Sequence, residues 1–305
     1  MPLFFDREGK LDEVQQIAFG HERELQDITE RNLKEIFGLN FVKREFSIGQ
    51  LRIDTLAYDE QMQSFVIIEY KKDRNSSVID QGYAYLSLLL NNKADFILEY
   101  NESQSKHLKR DEINWDQSRV IFVSPEFTKY QRQAISFKDL PFELWEAKKY
   151  ENGLLDYLRL ESPESAESIT KVSGKSKIVE EVSKEIKVYS EETHLAGKPE
   201  PVVKKYRELS DKITALGNNV TMKPTKIYVA FLAGNNFAST EITPGRLKLW
   251  INLKIGELDD PKKLARDVST KGHHGVGDYE IDILPNDDLE YPMYLVKQSY
   301  DRHSL

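Results

Sequence analysis

Two acidic residues and one lysine stand where apolar segments of the chain end or are interrupted. Glu69 and Lys71 follow the apolar run Phe65–Ile68. Asp54 interrupts an earlier apolar run. An apolar run rich in β-branched residues predicts a strand covered on both faces. Because side chains alternate along a strand, we expect Glu69 and Lys71 on one face and Tyr70 on the other.

These residue types suit a metal-assisted reaction at phosphate. Carboxylates from two neighbouring strands supply the hard oxygen ligands that Mg²⁺ or Mn²⁺ prefers, and the main-chain carbonyl of Tyr70 is a candidate third ligand. Lys71 lies two residues beyond Glu69, where it could orient or deprotonate a water or stabilise charge on a phosphate. The alternative is an ordinary ion pair between Glu69 and Lys71, with Asp54 solvated beside Arg52.

A helix is predicted over residues 22–37, because its apolar residues recur at helical spacing and Gly38 can end it. Glu22 falls near the apolar stripe of this helix, whereas Glu24 points away from it. We therefore expect Glu22 to face the acidic site, where it could hold a metal-bound water or a second ion.

Strands and helices then alternate along the chain. Gln81 and Tyr85 lie four residues apart on a predicted helix over 78–91, and hence on one face of it. Strands are predicted over residues 41–47, 51–58, 65–71, 96–100, 120–123, 142–147 and 154–160, with a further helix around 127–137. A meander that feeds helical crossovers predicts an α/β fold with a mixed sheet and helices on its faces.

The order of these residues resembles the PD-(D/E)XK nuclease superfamily, and within it the RecB-like branch. Residues 22–100 carry the match, and the fold would continue to about residue 160. The matching residues are Glu22, Asp54, Glu69-Tyr70-Lys71 and Gln81-x-x-x-Tyr85. One position departs from the pattern, because Ile53 stands where the family name has proline.

The resemblance implies a restriction-endonuclease-like sheet and a nuclease that uses Mg²⁺ or Mn²⁺ to cleave DNA. Asp54 and Glu69 would be the metal ligands and Lys71 the catalytic lysine. Glu22 would be the acid of the first helix. Gln81 and Tyr85 would be the helix motif associated with DNA contact and support of the site. From their basic side chains, Lys72 and Arg74 are also predicted to contact DNA.

Net charge argues against nucleic-acid binding through bulk attraction, because the whole chain carries −8. Residues 1–160 hold 22 basic and 28 acidic residues, so DNA contact requires a local patch. The densest basic positions in this part of the chain are Lys71, Lys72, Arg74, Lys106, His107, Lys109 and Arg110. Such a run is equally compatible with a solvated face.

The remainder of the chain predicts a linker over 161–196 and a small α+β domain over 197–305. The whole chain is similar to bacterial proteins in which a nuclease-like domain precedes a C-terminal domain of uncharacterised function, sometimes labelled a predicted transport protein. With no apolar run of about 18 residues, we find no physical support for transport. The glycine-rich stretch 272–279 lacks the Gly-Lys-Ser/Thr of a P-loop, and we interpret it as a turn.

Composition indicates the cellular compartment and the partners that we expect for the protein. The chain has no cysteine and begins without an apolar signal sequence, which favours the cytoplasm. DNA is the expected partner. A homodimer and a protein partner bound through the C-terminal domain are left open. The main alternative function is a non-catalytic module that binds nucleic acid or protein and keeps the nuclease fold.

Overall fold

The computed structural model describes residues 3–49, 51–71, 77–134, 137, 140–160 and 176–304, and the chain divides into two units, Met1–Val188 and Tyr189–Leu305. The strands of the first unit are β1 (Leu3–Arg7), β2 (Lys10–Val14), β3 (Gln16–Ile17), β4 (Asn40–Ile48), β5 (Leu51–Asp59), β6 (Ser64–Tyr70), β7 (Arg119–Ser124), β8 (Phe142–Tyr150) and β9 (Leu155–Arg159). Its helices are α1 (Glu22–Arg31), α2 (Leu33–Phe37), α3 (Val78–Asn91), α4 (Lys93–Gln104), α5 (Lys129–Ala134) and α6 (Lys177–Glu185), with 3₁₀ turns at Arg110–Glu112 and Trp115–Gln117.

The main sheet of the first unit is mixed, as predicted. Its strand order is β3-β8-β7-β6-β5-β4, with β9 pairing β8. The meander β4–β5–β6 is antiparallel, whereas β6, β7 and β8 are parallel to one another. Strand β6 is buried along its whole length: Phe65 and Ile67 belong to one apolar cluster, and Val66 and Ile68 belong to another. The prediction of a strand covered on both faces is therefore confirmed.

The helix predicted over 22–37 is broken in the structure. Helix α1 ends at Asn32, whose side chain donates a hydrogen bond to the carbonyl of Ile28 at 2.7 Å, and α2 then starts anew. The predicted stop is correct, because Gly38 takes a left-handed conformation with φ of 67°.

The strand predicted over 96–100 is wrong, because this segment lies inside helix α4. Phe96 and Tyr100 are four residues apart on one helical face, and their rings lie 5.6 and 6.1 Å from the ring of Phe65. The short apolar run is compatible with both the strand period of two residues and the helical period of about 3.6 residues. Packing against the sheet selects the helix. Helix α5, in turn, covers only part of the predicted 127–137.

Segment 161–196 holds the boundary between the two units. Residues 161–175 lie outside the described residues. Helix α6 packs against α3, and Val179 and Val182 join the apolar core of the first unit.

The second unit is α+β, as predicted. Its helices are α7 (Glu191–Leu195), α8 (Glu200–Thr214) and α9 (Glu290–His303), and its strands are β10 (Thr221–Pro224), β11 (Val229–Ala233), β12 (Asn235–Ile242), β13 (Leu247–Ile251), β14 (Arg266–Asp267) and β15 (Tyr279–Ile283). The sheet order is β10-β11-β12-β13-β15-β14, antiparallel throughout. Gly275 lies directly against the Trp250 indole, which supports a structural turn in the glycine-rich stretch. No helix in the described parts of either unit is long and apolar enough to cross a bilayer.

Gly82 sets how closely helix α3 approaches the sheet. A Cβ atom at Gly82 would lie 2.6 Å from the ring of Phe142. We expect Gly82→Ala to lower the free energy of unfolding by about 1 to 2 kcal/mol, because the clash outweighs the gain of about 1 kcal/mol in helix propensity. Urea unfolding of the two proteins measures this difference.

The matched control is Gly245→Ala, since a Cβ at that position meets no atom within 4 Å. It should leave stability nearly unchanged. An unchanged or increased stability of Gly82→Ala would contradict this account of how α3 is seated.

Candidate active site

Strands β5 and β6 separate at Asp54. From this point, side chains make hydrogen bonds to the main-chain N–H and carbonyl groups that the two strands no longer pair with each other. The paired register of the two strands ends with Thr55 opposite Ile68. The next free N–H, that of Tyr70, donates to Oδ2 of Asp54 at 3.0 Å. The carbonyl of Asp54 accepts a hydrogen bond from Nε2 of Gln26 at 3.1 Å. The Asp54 carboxylate is thereby held in the gap between the strands.

Glu69 is the centre of the polar contacts in this gap. Its Oε1 accepts from Nε2 of Gln81 at 2.8 Å and from Nζ of Lys71 at 3.3 Å. Both ionic side chains are largely buried, with 9% of Glu69 and 12% of Lys71 exposed. The other oxygen, Oε2, is buried and has no hydrogen-bond partner among the described residues. A buried acceptor without a donor is costly, so this oxygen is suited to a ligand.

The two carboxyl groups affect one another. Burial, and secondarily the Asp54 carboxylate, raise the pKa of Glu69 to about 7, against the opposing effect of Lys71. Burial also raises the pKa of Asp54, while the N–H of Tyr70 and the charge of Lys71 oppose that shift. Two acids held together with one lysine therefore retain a proton more readily than isolated acids, and added positive charge at the site would release it.

Helix α3 brings Gln81 and Tyr85 to the same point. Nε2 of Gln81 lies 3.2 Å from the hydroxyl of Tyr85, and that hydroxyl donates to the carbonyl of Arg52 at 3.3 Å. Tyr85 is buried, so in this conformation it braces Gln81 and Glu69 and offers no surface for DNA. Gln81 is partly exposed. Lys72 and Arg74, the other two residues predicted to contact DNA, lie outside the described residues.

Glu22 is exposed in the first turn of α1. Together with Lys71 and Pro125 it lines a small cavity of about 20 Å³ next to the site, a volume sufficient for one water. Glu24 instead pairs with Lys149 at 2.5 Å and accepts from the N–H of Gly20 at 2.7 Å. The structure thus places Glu22 beside Lys71 and directs Glu24 elsewhere.

Sequence reasoning missed a layer of polar residues behind Asp54. Gln26, which holds the Asp54 carbonyl, also donates to Glu30 at 3.0 Å, and Glu30 accepts from Thr55 at 2.5 Å. The spacing of Gln26 four residues after Glu22 was the available signal, since both must lie on one helical face.

The basic loop after α4 does not extend this site. Lys106 binds Glu60 at 2.9 Å, and Glu60 directly follows the far end of β5. Six residues of strand separate Glu60 from Asp54, which amounts to roughly 20 Å.

The donor set suits a small hard cation. Among the described residues, no three acidic or histidine side chains converge as a complete protein cage for a metal. Asp54 and Glu69 provide two carboxylates, and one oxygen of Glu69 has no partner in the part of the chain that the structure describes. Mg²⁺ is commonly bound through one or two carboxylates with water and substrate phosphate completing its shell.

The raised pKa of Glu69 makes the stability of the metal-free protein depend on pH. Between pH 4.5 and about 7 the folded state binds more protons than the unfolded state. The stabilisation is therefore complete below the unfolded pKa and is lost as pH rises through the folded one, by up to about 3 kcal/mol. Glu69→Gln stays neutral and should lose less stability over this range. Urea unfolding in EDTA from about pH 5 to about pH 8 tests this, and parallel profiles for the two proteins would contradict it.

Comparison with known sequences shows that the chain is similar to one described domain family and to one bacterial protein. Residues 191–303 match a family described as a domain of unknown function (DUF5655). Over 299 residues the chain is 46% identical to a Haemophilus influenzae protein described as uncharacterized, and the match covers 98% of this chain and 99% of that protein.

Distant similarity to solved structures is limited to part of the chain. An EndoMS–dsDNA complex shares 20% identity with a TM-score of 0.27, over 40% of this chain and 43% of that one. A repair endonuclease from Pyrococcus abyssi shares 17% identity with a TM-score of 0.25, over 49% of this chain and 50% of that one. SfsA from Pyrococcus furiosus, in complex with Ca²⁺, shares 14% identity with a TM-score of 0.24, over 51% of this chain and 78% of that one. On the near-complete match at 46% identity, the chain belongs to the same family as the Haemophilus influenzae protein.

Proposed function

We propose that the first unit hydrolyses phosphodiester bonds of DNA with the help of Mg²⁺ or Mn²⁺, and that the second unit selects the substrate or a partner. The observation that carries this proposal is the pair of interacting buried carboxyls, Asp54 and Glu69, with the ammonium of Lys71 3.3 Å from Glu69. An ion pair at a strand end would not need a second carboxyl in the same gap, nor leave Oε2 of Glu69 without a partner among the described residues. The resemblance of the residue order to PD-(D/E)XK nucleases supports the same assignment.

Asp54 and Glu69 would hold the ion, with the main-chain carbonyl of Tyr70 as a further ligand. A divalent ion bound there would polarise a phosphoryl oxygen and lower the pKa of a bound water. Other groups of the chain orient these two carboxylates. The Tyr70 N–H orients the Asp54 carboxylate, and Gln81 orients Glu69.

Lys71 is the proposed catalytic lysine. Among the described residues its Nζ makes one hydrogen bond, to Glu69, and an ammonium has three donors. The remaining donors are available to a water or to a non-bridging phosphate oxygen, where positive charge stabilises the transition state. The cavity shared by Lys71 and Glu22 would keep one water beside this ammonium.

Removing the ammonium tests the role of Lys71. We expect Lys71→Ala to lower single-turnover cleavage of plasmid DNA in Mg²⁺ or Mn²⁺ by about 100-fold or more, because a positioned proton-transfer or charge-stabilising group contributes at least that much. DNA binding should be largely retained.

Lys43→Ala serves as the matched control, since Lys43 is a half-exposed lysine of β4 that pairs with Glu99. It should cleave like the parent protein. If Lys71→Ala also cleaved at the parental rate, Lys71 would have no part in the reaction.

The second candidate is a module that keeps the nuclease fold without catalysis, and the net charge of −8 favours it. Metal binding separates the two functions. If the site binds a cation, Mn²⁺ at millimolar concentration should raise the Tm of the wild-type protein, because a ligand that binds only the folded state stabilises it.

Asp54→Asn should abolish this rise, whereas Asp12→Asn, at a half-exposed position of the β1–β2 hairpin where Asp12 pairs with Arg7, should preserve it. Equal shifts in the wild type and Asp54→Asn, or none in either, would favour the non-catalytic module.

A further inference from the structure

A second and larger cavity adjoins the candidate active site. Its volume is about 550 Å³, within the range of pockets that enclose ligands of nucleotide size. Phe19 and Pro125 line both this cavity and the small one beside Lys71. The two cavities are thus neighbours in the first unit. No motif in the sequence predicts the larger one.

Strand register places this cavity where β7 ends and its parallel pairing with β8 stops. Tyr70 of β6 pairs with Val123 of β7, and Ser124 of β7 pairs with Glu146 of β8. Glu146 therefore lies two strands away from Lys71, or about 10 Å at the usual strand spacing. Ligands of open α/β sheets bind at this end of the strands.

Arg132 is fixed in the wall of this cavity. Its Nη2 lies 2.5 Å from Oε1 of buried Glu146, and its Nε donates to the carbonyl of Phe127 at 3.2 Å. The Phe127 N–H donates to the same Glu146 oxygen at 3.2 Å. Glu146 is thereby neutralised, while 46% of the Arg132 side chain stays exposed and its Nη1 has no partner among the described residues. A guanidinium held in this way is preorganised for a phosphate.

Lysines complete the basic wall. Lys148 lines the cavity, and its ammonium makes no ion pair with any described residue, whereas Lys149 is occupied by Glu24. The cavity is lined by three basic side chains, Arg132, Lys148 and Lys149, and by two acidic ones, Glu126 and Glu146. Two of the basic side chains are in ion pairs, Arg132 with Glu146 and Lys149 with Glu24. Arg132 and Lys148 therefore offer N–H donors on this wall, and the lining as a whole is close to charge balance.

We propose that this cavity binds the DNA strand next to the cleaved bond, with a phosphate held by Arg132 and Lys148. This inference rests on the proposed function and adds to it the course of the strand, from Lys71 across the ends of β7 and β8. The basic loop around Lys106 lies at the other end of the sheet and takes no part in this contact.

Equilibrium binding in EDTA tests the cavity without any need for cleavage. A fluorescein-labelled duplex oligonucleotide is titrated with the full chain at several KCl concentrations. We expect Lys148→Ala to weaken binding several-fold and to lower the slope of log K against log salt by about 0.9, the value for one lost phosphate contact. Arg132→Lys keeps the charge beside Glu146 but loses the planar fork, so it should weaken binding with little change in slope.

Lys34→Ala is the control, because Lys34 is an exposed lysine of α2, which packs against β4 at the opposite edge of the sheet. It should leave affinity and slope unchanged. The inference is overturned if the wild type does not bind the duplex, if Lys148→Ala binds like the wild type, or if Lys34→Ala is equally impaired. A protein that binds through Lys148 but never cleaves would instead overturn the proposed function and leave the inference standing.

Discussion

The structure of the candidate site depends on one interaction, the hydrogen bond from the Tyr70 N–H to the Asp54 carboxylate at 3.0 Å. In an uninterrupted antiparallel pair that N–H would bind a carbonyl of β5, and the strands would stay closed. Here the acidic side chain replaces the carbonyl, and Gln26 from α1 takes the carbonyl that Asp54 leaves free. The opening between β5 and β6 therefore leaves few main-chain groups without a hydrogen bond. It also creates room for Glu69 and Lys71.

The charges in this opening are balanced to admit a cation. Burial raises the pKa of both Asp54 and Glu69, the Asp54 carboxylate raises the pKa of Glu69 further, and Lys71 opposes both shifts. Gln81, which also contacts the Tyr85 hydroxyl, donates to one oxygen of Glu69, and the other oxygen has no partner within the described residues. Acids whose pKa values are raised in this way form a site that a divalent ion would complete.

The residues of the site were accessible from sequence because they follow simple periods. Asp54 is a charge inside an apolar strand, Glu69 and Lys71 are charges at the end of another, and Gln81 and Tyr85 are one helical turn apart. The sequence did not reveal Arg132 and Glu146, which come together only through the parallel pairing of β7 with β8, a long-range contact without a local pattern. The wrong strand over 96–100 has a related cause, since five residues of mixed apolarity cannot separate a buried strand from a helical face.

The central claim is that Asp54 and Glu69 bind one cation between them. A crystal of the full chain soaked in Mn²⁺ tests this claim most directly. Anomalous diffraction should show a manganese ion between the two carboxylates, within about 2.2 Å of an oxygen from each, with the Glu69 oxygen being the one that lacks a protein donor. An ion elsewhere in the unit, or no ion at millimolar metal with both carboxylates ordered, would contradict the account.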